Sequence, residues 1–147
     1  MFIGIQQGQI KFYAEQTLDP VLYNLDEVIE TQDEYVLDGE EYVLKDEAWE
    51  EKQAQKERMR IGNLFLTRAD VERGIYQAKG MDFDDIIAFV SQLQPDGLDI
   101  KALKIELKAN NFYRGNSYVS AIGRLLGFSE EQLDKFFEDG NYEHLLV

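Results

Sequence analysis

The chain has a single histidine, His144, no cysteine, and 29 acidic side chains, so carboxylates are the reactive groups it has in quantity. Nucleophilic catalysis of the familiar kind sets a base, usually imidazole, beside the nucleophile. His144 is the fourth residue from the end, in Asn141-Tyr142-Glu143-His144-Leu145-Leu146-Val147, where mobile termini favour a surface role. The tightest carboxylate group, Asp82, Asp84 and Asp85 in Met81-Asp82-Phe83-Asp84-Asp85, superficially suits magnesium or calcium. It lacks the glycine and the terminal glutamate of a calcium-binding loop. Acids at the start of a helix also have a simpler use, as cap and as complement to the helix dipole. Gly115-Asn116 and Gly123 fit turn and helix-packing roles, and no Gly-Lys-Ser/Thr phosphate loop occurs. The expectation is a non-enzymatic chain with no metal site and no cofactor.

One constellation is more specific. Asn110-Asn111-Phe112-Tyr113-Arg114-Gly115-Asn116 places two aromatics and a cation between polar turn residues. Arg114 stacked on Tyr113, or holding an anion, would make the pair an interface anchor. Alternatively, Phe112 and Tyr113 complete a helical core while Arg114 caps helix carbonyls. Both readings stand at this level, and Tyr113 and Arg114 are candidate partner-binding residues.

The elements that position these residues follow from a change of composition along the chain. Residues 1–50 hold 13 acids against Lys11 and Lys45, a net charge of -11 out of -14. Such a block raises solubility and repels nucleic acid unless it imitates it, so direct nucleic-acid binding is not expected. The first 45 residues carry short β-type runs broken by Gly and by Asp19-Pro20. In Glu34-Tyr35-Val36-Leu37-Asp38-Gly39-Glu40-Glu41-Tyr42-Val43-Leu44, Glu-Tyr-Val-Leu occurs twice around Asp-Gly. Asp-Gly favours a type I′ turn, which predicts a β-hairpin. A hairpin alone is marginal in water, so it must pack on other strands or on a partner.

Residues 46–60 turn to Ala, Glu, Gln, Lys and Arg, good helix formers with little to bury, and read as a solvated helical connector. Residues 61–147 read as an α-helical domain of about five short helices. Thr67 with Asp70 resembles a capping box, Asp82 and Asp99 are further N-caps, and Ser129 with Gln132 makes a second box. Helices at about 117–126 and 130–138 meet at Gly127. The second reads Glu130-Glu131-Gln132-Leu133-Asp134, which phosphates would repel, so it is an αα-hairpin rather than a DNA reader. The fold class is α+β: a small β-rich head (1–45), a connecting helix (46–60) and a helical domain (61–147).

The chain opens Met1-Phe2-Ile3-Gly4-Ile5 and turns polar at Gln6, unlike a signal peptide, and no run approaches the length of a membrane span. A soluble, cytoplasmic product with no membrane partner is expected.

The stretch from Asp26 to Arg60, with its acidic β segment, the Glu-Tyr-Val-Leu repeat and the Glu/Lys/Gln-rich helix, resembles small accessory proteins of phage and prophage tail modules, some of them tail-fibre assembly proteins. Leu66-Thr67-Arg68-Ala69-Asp70-Val71, Asn111-Phe112-Tyr113-Arg114-Gly115-Asn116 and Ile122-Gly123-Arg124-Leu125-Leu126-Gly127-Phe128 are similar to the helical domain of prophage proteins of that context. The resemblance implies a phage origin and a protein-binding role in the host cytoplasm or on the virion. It supplies no catalytic residues.

Two functions compete. In the first, the chain binds a tail or tail-fibre component through Tyr35, Val36, Tyr42 and Val43 on the hairpin, by edge pairing or through one exposed face, beside Glu34, Asp38, Glu40 and Glu41. In the second, it is an anti-CRISPR-like inhibitor of a host nucleic-acid enzyme. There Asp26, Glu27, Glu30, Asp33, Glu34, Asp38, Glu40 and Glu41 stand in for phosphates. Exposed hairpin edges also leave self-association open.

Overall fold

The computed structural model describes residues 1–146. It is a mixed α+β chain that divides into two compact units, the first ending at Lys56 and the second beginning at Glu57.

In the first unit β1 (Phe2–Gln6) lies between β2 (Gln9–Ala14) and β3 (Glu27–Glu30), antiparallel to both. The β1–β2 turn is Gln7-Gly8, with φ of 52° and 76°, so both central residues take the positive φ of a type I′ turn. A Cβ on Gly4 would stand 2.8 Å from Leu25 Cδ1, so the glycine lets the Leu18 and Leu25 side chains pack close on this face of the sheet. Phe12, opposite Gly4, tilts against Tyr23 of the same loop, with ring centroids 5.1 Å apart.

The expected hairpin is present as β4 (Tyr35–Asp38) and β5 (Glu41–Leu44). Its turn is not the expected type I′. Asp38 pairs with Glu41 as the last rung, so Gly39-Glu40 is the loop, and only Gly39, at φ 67°, is positive. Glycine at the first central position is the requirement of a type II′ turn.

Asp46 Oδ1 accepts from Trp49 N at 2.9 Å and opens α1 (Glu47–Gly62), which buries none of its residues. This is the expected solvated helix, yet it is not a separate connector. The division between units falls within it, and its last turn joins the second unit because Arg60 pairs with both Glu57 and Glu138.

The second unit has the five expected helices: α2 (Arg68–Lys79), α3 (Phe83–Leu93), α4 (Ile100–Glu106), α5 (Ser117–Leu125) and α6 (Glu130–Asp139), followed by a 3₁₀ turn at Tyr142–Leu145. All four N-caps form, but the box expected at Thr67/Asp70 closes only on the Thr67 side, since the Asp70 carboxylate lies 3.4 Å from Arg73. Thr67, Asp82, Asp99 and Ser129 each accept a first-turn backbone N–H, with reciprocal boxes at Asp82/Asp85 and Ser129/Gln132. The one element that the helical reading missed is a two-stranded ribbon of β6 (Phe65–Thr67) and β7 (Asn111–Tyr113), antiparallel. One apolar cluster holds the unit together, with Ile86, Val90, Leu103 and Phe136 almost fully buried at its centre.

Candidate partner-binding surface

In an antiparallel ladder directly opposed residues share a face, and alternate residues share it along each strand. Register therefore sorts the hairpin. Tyr35 opposes Leu44 and Leu37 opposes Tyr42, so these four share one face; Val36 opposes Val43 on the other. The four residues Tyr35, Val36, Tyr42 and Val43 therefore do not share one face; of the two expected modes, register bears on the shared face and not on edge pairing. Both tyrosines are engaged within the unit, with Tyr13 of β2 tilted against Tyr35 at 5.5 Å and Tyr42 at 6.0 Å. Tyr13 also donates to the Asp33 carbonyl at 3.2 Å. The tyrosines thus fasten the hairpin to the sheet, as a two-stranded ribbon requires. What stays outside is Leu37, 60% exposed, with Asp38 and Glu40 exposed beside it. Glu34 is exposed too, 3.5 Å from Lys45, and Val36, Val43 and Glu41 are half-buried.

A second apolar projection lies in the loop after Asp19-Pro20. Val21 is 88% exposed and Leu22 72%. They are held, not loose: Asp19 Oδ1 accepts from Val21 N at 2.9 Å and from Leu22 N at 3.3 Å, and its carbonyl accepts from Tyr23 N at 3.1 Å. Leu25 N donates to the Pro20 carbonyl at 2.7 Å, and Asn24 closes the turn at a positive φ of 53°. An Asx-turn of this kind predefines the backbone, so the two side chains are presented with little entropy left to lose. Sequence reading took Asp19-Pro20 as a break and passed over these residues. The available signal was a Val-Leu-Tyr run directly after an Asp-Pro turn.

The unit has little interior to justify such exposure. Its buried apolar residues are Ile3 and Leu25, while Met1, Val21, Leu22, Tyr23, Ile29, Leu37 and Leu44 are exposed. Residues 1–56 also hold 14 acids against 4 bases. The surface is acidic with apolar residues standing out of it.

In the second unit Tyr113 and Arg114 part company. Tyr113 is 50% exposed and sits opposite Phe65, 53% exposed, in the β6–β7 ribbon, with ring centroids 5.6 Å apart. The aromatic neighbour of Tyr113 is therefore Phe65 and not the Arg114 cation. Arg114 is buried, at 6% exposure, and is corrected here from partner-binding candidate to internal clamp. Its Nε donates to Asp134 Oδ1 at 2.8 Å, its Nη1 to Ser120 Oγ at 2.9 Å, and its Nη2 to the Glu130 carboxylate. A guanidinium taken from water must find carboxylates at fork geometry, and the acidic first turns of α6 supply them. Those are the residues that made this helix unfit to read DNA.

The other reactive groups are likewise tied to local structure. Asp82 and Asp85 exchange cap hydrogen bonds, at 2.8 Å and 3.0 Å. His144 Nε2 lies 2.9 Å from Asp139 Oδ2. That contact, then the backbone N–H of Asn141, holds the Asp139 carboxyl below its ordinary 3.8. The Arg114 hydrogen bond does the same to Glu130 and the Arg60 hydrogen bond to Glu57. A cavity of about 50 Å³ inside the second unit has an almost wholly apolar wall, including Ile86, Leu103, Phe112 and Phe136. Such a wall offers little to orient a polar reactant. Among the described residues no helix is long and apolar enough to cross a membrane. Compared with family models, with curated proteins and with solved structures, the chain matches none.

Proposed function

We propose that the chain is a non-enzymatic protein-binding module of the phage tail-accessory kind, whose N-terminal unit engages a tail or tail-fibre component. The observation that carries this reading is the pair Val21 and Leu22, almost fully exposed on a hydrogen-bonded turn in a unit with a minimal core. Apolar side chains on a backbone already fixed in its turn can bury their surface on a partner with little further ordering of the chain. Leu37 at the hairpin tip adds a second anchor. The acids around both favour a partner whose apolar cleft has a basic rim.

The acidic excess of 14 to 4 in residues 1–56 favours one second reading, inhibition of a host nucleic-acid enzyme by occupation of its basic channel. One experiment separates the two: affinity capture from phage-infected cells, with the chain and its Val21→Ser/Leu22→Ser variant as baits. Tail or fibre proteins captured by the parent and lost by the variant support the first reading. A nuclease or CRISPR effector whose capture collapses with added salt supports the second. Equal capture by both baits sinks the assignment of the loop.

A further inference from the structure

Arg73 of α2 and Lys135 of α6 each have an acid one turn away. Arg73 lies 3.4 Å from Asp70, and Lys135 lies 3.0 Å from Glu131. Helix α4 is different. Lys101, Lys104, Ile105 and Lys108 follow the i, i+3, i+4, i+7 spacing of one helical face, continued past the helix end by the turn in which Lys108 N donates to the Ile105 carbonyl. All four are exposed, Ile105 by 69%, while Leu103 and Leu107 on the other side are buried. No acid stands three or four residues from any of these lysines. Like charges at that spacing weaken a helix slightly.

The β4–β5 hairpin tip carries the opposite charge. Asp38, Glu40 and Glu41 gather at its turn, and Asp38 and Glu41 are directly opposed in the ladder, on the face opposite to Leu37 and Tyr42. Like charges directly opposed destabilise a sheet pair. The nearby Lys11 ammonium donates to the Glu40 backbone carbonyl at 3.2 Å. Each patch brings like charges together, and the two are opposite in sign.

We propose that the lysine face of α4 seats the acidic hairpin tip of a second copy of this chain. Three ammonium groups face the carboxylates of Asp38, Glu40 and Glu41. The pairing is heterologous, because the two surfaces differ. At physiological ionic strength, screening over about 8 Å preserves pairs in contact and removes most of the repulsion between two chains of charge -14. Partner capture through Val21 and Leu22 is a separate reading, and changes on α4 leave those residues untouched.

Sedimentation of the full chain across a concentration range tests the proposal. At about 0.15 M salt the parent should gain mass with concentration, and at about 0.5 M salt that gain should shrink at least about tenfold in affinity. K101E/K104E/K108E and D38K/E40K/E41K should each stay monomeric alone, since each then offers surfaces of one sign. An equimolar mixture of the two should associate again, because each supplies what the other lacks. A parent that stays monomeric up to about 0.5 mM, a weak-affinity ceiling, overturns the proposal. So does association unchanged by either reversal, or a mixture that stays monomeric. Should the hairpin variant lose its circular-dichroism signal, Ile105→Glu carries the test: the same tenfold loss is expected, and unchanged association overturns the proposal.

Discussion

The ring of Phe136 lies against Gly74 so closely that a Cβ at position 74 would stand 2.5 Å from Phe136 Cζ. Gly74 is a buried residue of α2 and Phe136 a fully buried residue of α6, so this contact sets how near the two helices approach. Gly74→Ala should destabilise the second unit by about 1–3 kcal/mol, the usual range for overpacking a core. Thermal unfolding followed by helical circular dichroism measures it. A variant as stable as the parent would mean that Phe136 has room to turn away.

Arg114 joins β7 to α6 through Asp134 and Glu130. Arg114→Met should cost about 2 kcal/mol, below the range for a wholly buried pair because Glu130 and Asp134 are 57% and 36% exposed and regain water. Arg114→Lys should recover only part of that, since an ammonium cannot fork to Ser120 and both acids. Urea unfolding of the three proteins ranks them; a lysine variant equal to the parent would refute the fork geometry.

Acid should weaken the fold in a defined window. Glu130 is held below its ordinary 4.5 by the Arg114 hydrogen bond, and Asp139 below its ordinary 3.8 by His144 and then the Asn141 backbone. A carboxyl with a depressed folded-state value stabilises the fold fully above its unfolded value and loses that contribution as pH falls through the folded one. The Tm should therefore hold from neutral pH to about 5 and decline below about 4.5. Glu130→Gln should lower the Tm at neutral pH and make the acid decline shallower; an unchanged slope would show that Glu130 does not contribute.

Gly39→Ala should weaken the hairpin by about 1 kcal/mol, because a Cβ at φ 67° is strained even where nothing stands near it. Loss of the Tyr13–Tyr35–Tyr42 aromatic signal in near-ultraviolet circular dichroism at a lower temperature would report it. The Val21→Ser/Leu22→Ser variant, by contrast, should keep the parent's Tm within about 0.5 kcal/mol of stability while losing its partner, because exposed side chains hold little of the fold.

Much of the architecture is legible in the residues alone. The N-caps at Thr67, Asp82, Asp99 and Ser129 and the box at Ser129/Gln132 come from interactions a few residues apart. The acidic N-terminal third and the under-hydrophobic α1 are sums over composition, which tertiary structure leaves unchanged. The position of the hairpin also follows from its repeat, although Gly39-Glu40 displaces the turn by one residue from the Asp-Gly expected.

What the chain alone does not determine is where one segment meets another distant in sequence. The β6–β7 ribbon is too short to show a period, and it forms because Leu66 and Phe112 meet while Phe65 and Tyr113 pair outside. Arg114 reads equally well as an anchor or a cap until Asp134 and Glu130 close around it. Val36 and Val43 separate from Tyr35 and Tyr42 only when strand register assigns faces. Caps, turns and charge are local or additive, so sequence determines them. Burial and face are decided by contacts across the chain, and for Val21, Leu22 and Arg114 those contacts alone determine which side chains remain available to a partner.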